Sequence, residues 1–334
     1  MFKMLAPRNW GPQRIADFFG VSVRTWLLLI PIVLSLSFLG IHGCGGGGYD
    51  SPSTTTTSSA LISAETLKGW IDDGKVNSTG YERVVVLDIN TQANYNAGHI
   101  PGAYFVNSND IYQNRKEGPA VDINMVLDGP HMDALIQKYG IDKNTTIVFT
   151  SGSGSCGSAT PGAVLNATRA YWTFRYWGFP KERLKVLDGI NCDYGKKYAL
   201  TTSATPPATP STYSVRNIGI LRGDLRASLA EMVDAADGKV PDAVVVDFRG
   251  PVGSYSGTAG STTGVFNIDV NRDGKIDSAD NDFVVFEGRI KGAKAFLWTD
   301  QLDPANNYRF LSPDKLIAKF TAIGLDSTKI AHVY

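Results

Sequence analysis

The stretch Val84-Val-Val-Leu-Asp-Ile-Asn90 decides the fold. Its four leading apolar residues, three of them β-branched, neither alternate with polar residues nor recur at helical spacing, so they predict a strand buried on both faces, as a parallel sheet requires. Asp88 stands at its end. Thr146-Ile-Val-Phe-Thr150 and Leu184-Lys-Val-Leu187 have the same form. Between and before these runs lie helical patterns. Ser63 precedes Leu67, Trp70 and Ile71 as an N-cap would, and Ala163 to Trp177 is helical in character. Alternating strands and helices predict an α/β fold with parallel sheets flanked by helices.

The same order returns near the end of the chain: a helix from Leu221 to Ala236, a strand Ala243 to Val246 with Asp247 at its end, a helix Ser312 to Ile323 and a strand Lys329 to Tyr334. Tyr139-Gly-Ile-Asp and Ile323-Gly-Leu-Asp each place a glycine after a helix, where a C-cap belongs. Between the two bodies, Thr201-Thr-Ser-Ala-Thr-Pro-Pro-Ala-Thr-Pro-Ser-Thr212 has three prolines and no apolar periodicity, which predicts a semi-rigid linker over 201–214. The bodies therefore span 61–200 and 215–334, and 334 residues suffice for both.

Residues 1–43 form an address. Lys3, Arg8, Arg14 and Arg24 face a lone Asp17 and precede the apolar run Trp26 to Leu39, an n-region and an h-region. That run contains Pro31 and falls short of the roughly 20 apolar residues of a bilayer span. Ile41-His-Gly-Cys44 follows and resembles the bacterial lipoprotein box, which implies that Cys44 is lipidated and becomes the new amino terminus. The Gly/Ser/Thr-rich residues 44–60 suit a flexible tether. The expected setting is the cell envelope, on the periplasmic or outer-membrane side, with the lipid as the membrane partner. Removal of residues 1–43 leaves 28 basic against 31 acidic residues of an initial 32 and 32. No basic patch remains to suggest a nucleic-acid partner.

The run Val84 to Asn90, then Tyr95 and Ala97-Gly-His-Ile-Pro-Gly-Ala103, resembles the signature of the rhodanese superfamily. Val244-Val-Val-Asp-Phe-Arg249, Tyr255 and Gly288-Arg-Ile-Lys-Gly-Ala293 repeat it more loosely. Together they look like a tandem sulfurtransferase, two rhodanese-like domains with the second incomplete at its C-terminus. The resemblance implies transfer of a sulfane sulfur from a thiosulfate-like donor to a thiol or cyanide, with no organic cofactor. It gives Asp88, His99, Gly102 and Asp247 structural roles, and Arg249 and Arg289 are candidates to bind the anionic sulfur-containing substrate.

In that family the sulfur is carried by a cysteine that opens the loop after the fourth strand, where loop amides and a helix N-terminus favour its anion. Here the first body has Ser151 in that place, so it is expected to be non-catalytic. Cys156 lies further along the same Gly/Ser loop, a possible displaced nucleophile. If the family's sheet order holds, this loop and the one holding Cys192 leave the same sheet edge. A Cys156–Cys192 disulfide, two inert thiols and a catalytic Cys156 are then all open. In the second body the resemblance puts the nucleophile just past Tyr334, after a fourth strand left without a neighbour. Selenocysteine at a recoded codon, or a truncated and silent binding module, are the two expectations.

Residues 264–283 form an insertion containing Asp269-Val-Asn-Arg-Asp-Gly-Lys-Ile-Asp-Ser-Ala-Asp280. Asp269, Asn271, Asp273, the Lys275 carbonyl, Asp277 and Asp280 fall at the ligand positions of an EF-hand loop, with Gly274 at its sharp turn. This resembles the dockerin type, and calcium is the expected ion.

Overall fold

The computed structural model describes residues 2–4, 59–116, 121–219, 221–249, 266–268, 283–286 and 289–334. Cys44, Tyr255, Gly288 and the calcium-loop residues Asp269, Asn271, Asp273, Lys275, Asp277 and Asp280 lie outside these. No helix of the described residues is long and apolar enough to cross a membrane.

The described chain begins with β1 (Phe2–Met4), which joins the second body's sheet. The first body contains β2 (Leu61–Ile62), α1 (Ala64–Asp72), β3 (Val84–Asn90), α2 (Gln92–Ala97), β4 (Tyr104–Asn107), the hairpin β5 (Gln113–Lys116) and β6 (Val121–Met125), α3 (Gly129–Lys138), β7 (Thr146–Thr150), α4 (Pro161–Tyr176), β8 (Leu184–Leu187) and α5 (Ile190–Lys197). Its sheet is parallel, in the order β2-β8-β7-β3-β4. β3 sits inside that order and is buried over its whole length. Its alternate residues serve two layers: Val85, Leu87 and Ile89 pack with Phe149, Phe174 and Ile136 on one face, and Val84 and Val86 pack with Leu67, Val148 and Tyr194 on the other. A continuous apolar run is what two covered faces demand. Ser63 caps α1, its hydroxyl accepting from the Thr66 N–H at 3.2 Å.

The expected spacer 201–214 is docked along the first body. Thr201 exchanges two backbone hydrogen bonds of 2.9 Å with His99. Thr205 Oγ1 donates to the Ala103 carbonyl (2.8 Å), Ser211 Oγ to that of Ile141 (2.8 Å), and Asp133 accepts from Ser214 Oγ and Val215 N, both at 2.7 Å. Prolines lack an N–H, so the interleaved Ser and Thr residues provide the donors that fasten the segment.

The second body follows with α6 (Leu229–Ala236), β9 (Ala243–Asp247), the hairpin β10 (Phe266–Ile268) and β11 (Phe283–Phe286), β12 (Lys294–Ala295), the hairpin β13 (Leu302–Asp303) and β14 (Arg309–Phe310), α7 (Pro313–Ala322) and β15 (Ile330–Val333). α6 begins eight residues later than Leu221, the expected start. Ser228 and Glu231 form a reciprocal capping box, while Gly223 upstream lies in a 3-10 turn with Arg222 paired to Asp224. β9 and β15 run parallel, pairing Ala243–Val246 with Ile330–Val333. The outer edge of β15, expected to be bare, is lined antiparallel by β1.

Candidate functional site at the carboxyl ends of the first sheet

In a parallel sheet the loops that follow the strands gather along one edge, where α/β proteins place their ligand sites. Here β3 ends in Asp88-Ile-Asn90, β7 leads into Ser151-Gly152, and β8 leads into Asp188-Gly-Ile-Asn191. Asp88 is fully buried. Asn90 Nδ2 donates to Asp88 Oδ1 (2.9 Å) and Asn191 Nδ2 to Asp88 Oδ2 (2.9 Å), while both amides also reach the Gly152 carbonyl, at 2.8 and 3.0 Å. Thr150 Oγ1 fixes the orientation of Asn191 by donating to Oδ1 at 2.8 Å. Burial outweighs these two donors and pushes the Asp88 carboxyl up from 3.8 to about 7.

Ser151 occupies the expected nucleophile position and is buried, its hydroxyl donating to the Ile89 carbonyl at 2.5 Å. A hydroxyl tied to backbone in this way has neither an exposed face nor a base to activate it. Gly152 follows at φ +83°, and a Cβ there would stand 2.8 Å from Ala163 Cβ and 2.9 Å from Ile190 Cδ1. The loop thus lies tight against α4 and the β8–α5 turn.

Cys156 and Cys192 are joined in a disulfide, with their Cα atoms 4.9 Å apart. Of the three states open from sequence, this is the one the structure has. In this state Cys156 carries no thiolate to act as the displaced nucleophile. Just before Cys192, Ile190 adopts φ +53°, a conformation that costs a β-branched residue about 1–3 kcal/mol. The Asn191 N–H bonded to the Ser151 carbonyl (3.2 Å) and the disulfide hold that turn in place.

His99 and Gly102 build the neighbouring turn. The buried His99 ring stacks on Tyr95 at 3.7 Å between centroids, and its Nδ1 donates to the Tyr95 carbonyl at 2.8 Å. Tyr95 in turn donates to the Ala103 carbonyl (2.7 Å), and Gly102 (φ +81°) passes so close to Val76 that a Cβ would lie 2.9 Å from Cγ1. These residues shape the backbone.

The equivalent edge of the second body is differently charged. Asp247 is fully buried and accepts from the Arg249 N–H (3.0 Å), Nε (2.9 Å) and Nη2 (2.7 Å). Burial alone would raise its pKa, but the Arg249 bonds and charge hold it below the usual carboxylate value. The Arg249 guanidinium lies over the Tyr334 ring, 5.2 Å from its centroid, and Tyr334 accepts from the Ile290 N–H at 2.9 Å. Arg249, a candidate substrate ligand from sequence, is therefore committed to Asp247, whereas Arg289 is exposed. Register aligns the bodies. β7 pairs Phe149 with Leu87 and Thr150 with Asp88; β15 pairs Val333 with Val246, which places Tyr334 beside Asp247 as Thr150 stands beside Asp88.

Sequence reasoning missed the contact that covers the first body's edge. Asp188 accepts from Arg309 Nε and from the Phe310 N–H, both at 3.0 Å, and Arg309 Nη1 approaches Asp193 at 3.7 Å. Leu302 of the same hairpin joins a cluster with Ala163, Val164, Ile190 and Cys192, against which Cys156, Trp298, Tyr308 and Phe310 pack. Partners separated by about 120 positions leave no local pattern to read. Among the described residues, no group of three or more His, Cys, Asp or Glu side chains is placed to hold a metal ion.

Residues 63–189 match the family model of the rhodanese-like domain. Among solved structures, an anaerobic ergothioneine biosynthesis enzyme from Chlorobium limicola, in complex with trimethyl histidine, is similar with a TM-score of 0.57 at 16% identity, over 82% of this chain and 60% of that one. The wild-type structure of EanB gives 0.55 at 17% identity, over 82% and 59%. SseA from Escherichia coli, described as a 3-mercaptopyruvate sulfotransferase with the rhodanese fold, gives 0.54 at 15% identity, over 80% and 84%. At such identities the likeness is one of fold, and the chain spans about three fifths of the length of the ergothioneine enzyme. No curated protein matches it. Residues 63–189 thus match a rhodanese-like domain, in a chain whose α/β architecture resembles that of rhodanese-fold proteins.

Proposed function

We propose that this protein is a rhodanese-type sulfurtransferase in which the first body is a structural partner and the second carries the chemistry. One observation supports this division: the two Asp-terminated strands have opposite electrostatics. In the first body Asp88 faces two neutral amides, and the Ser151 hydroxyl is buried against backbone. In the second, Asp247 holds a guanidinium at the end of β15. The position equivalent to Ser151 is the one after Tyr334. A sulfur-carrying chalcogen, cysteine or selenocysteine, belongs there, where a nearby cation would favour its anion. The substrate would be a small anionic sulfane donor such as thiosulfate, with Arg289 an exposed cation next to Ile290, whose N–H bonds Tyr334 at this edge.

Two further features belong to this reading. The residues Asp269 to Asp280 would bind calcium, supported by the pairing of Ile268 with Phe283, which closes the insertion into a hairpin and brings the loop's ends together. Cys44 would carry a lipid that anchors the protein in the cell envelope, and the cleavage this entails would remove β1 and bare the edge of β15.

The test is thiosulfate treatment followed by cyanide, with thiocyanate as the readout. Residues 1–334 should give none, and a chain extended by its own coding sequence should give thiocyanate if a Cys or Sec codon follows Tyr334. Turnover by residues 1–334 alone would return the chemistry to the first body and refute the division.

A further inference from the structure

The disulfide lies where the two bodies meet, and its two ends differ. Cys192 is fully buried beneath the Leu302 side of the second body's hairpin, whereas Cys156 is partly exposed, between the exposed residues Ser155 and Gly157. A cavity of about 540 Å³ lies between the bodies, lined by Pro161 of the first and by Leu302, Tyr308 and Lys319 of the second, with neither cysteine in its wall. Leu302 and Tyr308 thus serve both the cavity wall and the packing around the disulfide.

The same residues hold the bodies together. Asp188, four positions before Cys192, accepts from Arg309 and from the Phe310 N–H, and Ile190 between them adopts a left-handed conformation that its own side chain disfavours. Gly189, also left-handed, lets the turn pass, since a Cβ there would meet Asp193 Cβ at 2.5 Å and Arg309 Cγ at 3.2 Å. The docking surface for the hairpin is therefore a strained turn fastened at one end by the disulfide.

We propose that Cys156–Cys192 is an exchangeable disulfide, opened by a low-molecular-weight thiol at Cys156, and that its opening releases the second body's hairpin. The incoming thiolate attacks Cys156 Sγ, forming a mixed disulfide, and the Cys156–Cys192 bond breaks with its electron pair leaving on Cys192, which takes up a proton. A second thiol attacks the small molecule's sulfur in the mixed disulfide and frees the Cys156 thiol. The protein disulfide is thereby reduced by two electrons, and two thiols are oxidised to one small disulfide. Without the bond, Ile190 relaxes, Asp188 leaves its position, and the contacts of Arg309 and Phe310 weaken. Local opening of this kind exposes one interface while the sheets stay folded.

The experiment treats the full chain with reduced glutathione, traps it with an alkylating reagent and maps the peptides, while amide hydrogen exchange is followed in parallel. Glutathione should be found on Cys156. On full reduction the Phe310 amide should exchange at least tenfold faster, with Val85, Val86 and Val148 unchanged. A Cys156→Ser/Cys192→Ser double variant should show the reduced pattern without any thiol. Glutathione trapped only on Cys192, Phe310 protection unchanged in fully reduced protein, or reduction that occurs only together with loss of protection across the sheet would each overturn the proposal.

Discussion

Asp88→Asn should reverse the order of stability between wild type and variant across the neutral range. The wild-type carboxyl is fully buried, and its pKa is raised from 3.8 to about 7. A raised folded-state value means that the folded chain holds a proton which the unfolded chain has already released. The stabilisation is then fully present below the unfolded pKa and is lost as pH rises through the folded one. A shift of about three units at 1.36 kcal/mol each makes this change about 4 kcal/mol between about pH 4 and about pH 8.

The variant cannot ionise, but it does not fit freely. Asn90 Oδ1 already accepts from Thr91 N (2.9 Å) and Asn94 Nδ2 (3.2 Å), and Asn191 Oδ1 accepts from Thr150, so both amide donors are fixed toward position 88. An asparagine there turns one donor against a donor, costing about 1–3 kcal/mol at every pH. Wild type should therefore be the more stable by about that amount near pH 4 and the less stable by a similar amount near pH 8. Urea unfolding of both proteins with the disulfide intact, in steps across this range, gives the difference directly. A difference that stays flat with pH would show Asp88 ionised throughout and the two amide donors stronger than burial.

Asp247 should behave in the opposite sense: its pKa is lowered, so its stabilisation is present above the unfolded pKa and vanishes as pH falls through the folded one, and the gap between wild type and Asp247→Asn should close only in acid. Ser151→Cys should gain no persulfide, because the replaced hydroxyl is buried against the Ile89 carbonyl; a one-sulfur mass increase after thiosulfate would contradict this. Gly152→Ala should lower stability by roughly 2–3 kcal/mol, combining a positive φ with contacts of 2.8 and 2.9 Å, and thermal unfolding equal to wild type would disprove the tight packing of that loop. Chelation of calcium should lower the midpoint of thermal unfolding, and an Asp269→Ala/Asp273→Ala variant should be insensitive to the chelator.

The sheet strands of the first body were legible because burial on both faces leaves no polar option: Thr146–Thr150 and Leu184–Leu187 have the bounds that their apolar runs predict. β3 runs three residues past its apolar run, through Asp88 to Asn90, because hydrogen bonds from Asn90 and Asn191 make a buried carboxyl tolerable at its end. That compensation comes from a residue more than a hundred positions away, so no local pattern announces it. The misplaced start of α6 has a local cause. Leu221 and Leu225 fit helical spacing, but Gly223 and the Ser228–Glu231 box decide where the first turn can be satisfied. The docking of the linker 201–214 is illegible for a third reason: proline content describes stiffness and says nothing of what the intervening hydroxyls bind.

The contrast between Asp88-Ile-Asn90 and Asp247-Phe-Arg249 bears most directly on the proposed division of roles between the two bodies. The two aspartates stand at the same place in their sheets, each buried, each answered by the residue two positions on. With asparagine as the answer, no cation offsets burial, the carboxyl is raised to about 7, and the strand end becomes a closed polar knot, sealed by Ser151 and covered by Leu302 and Arg309. With arginine as the answer, the carboxylate stays ionised and a guanidinium is held at the mouth of the strand. An anionic nucleophile needs an electropositive setting. Under the proposed division, Asn90 against Arg249 is the difference that would make one body its neighbour's support and leave the other an Asp247–Arg249 ion pair next to the position where an anion would form.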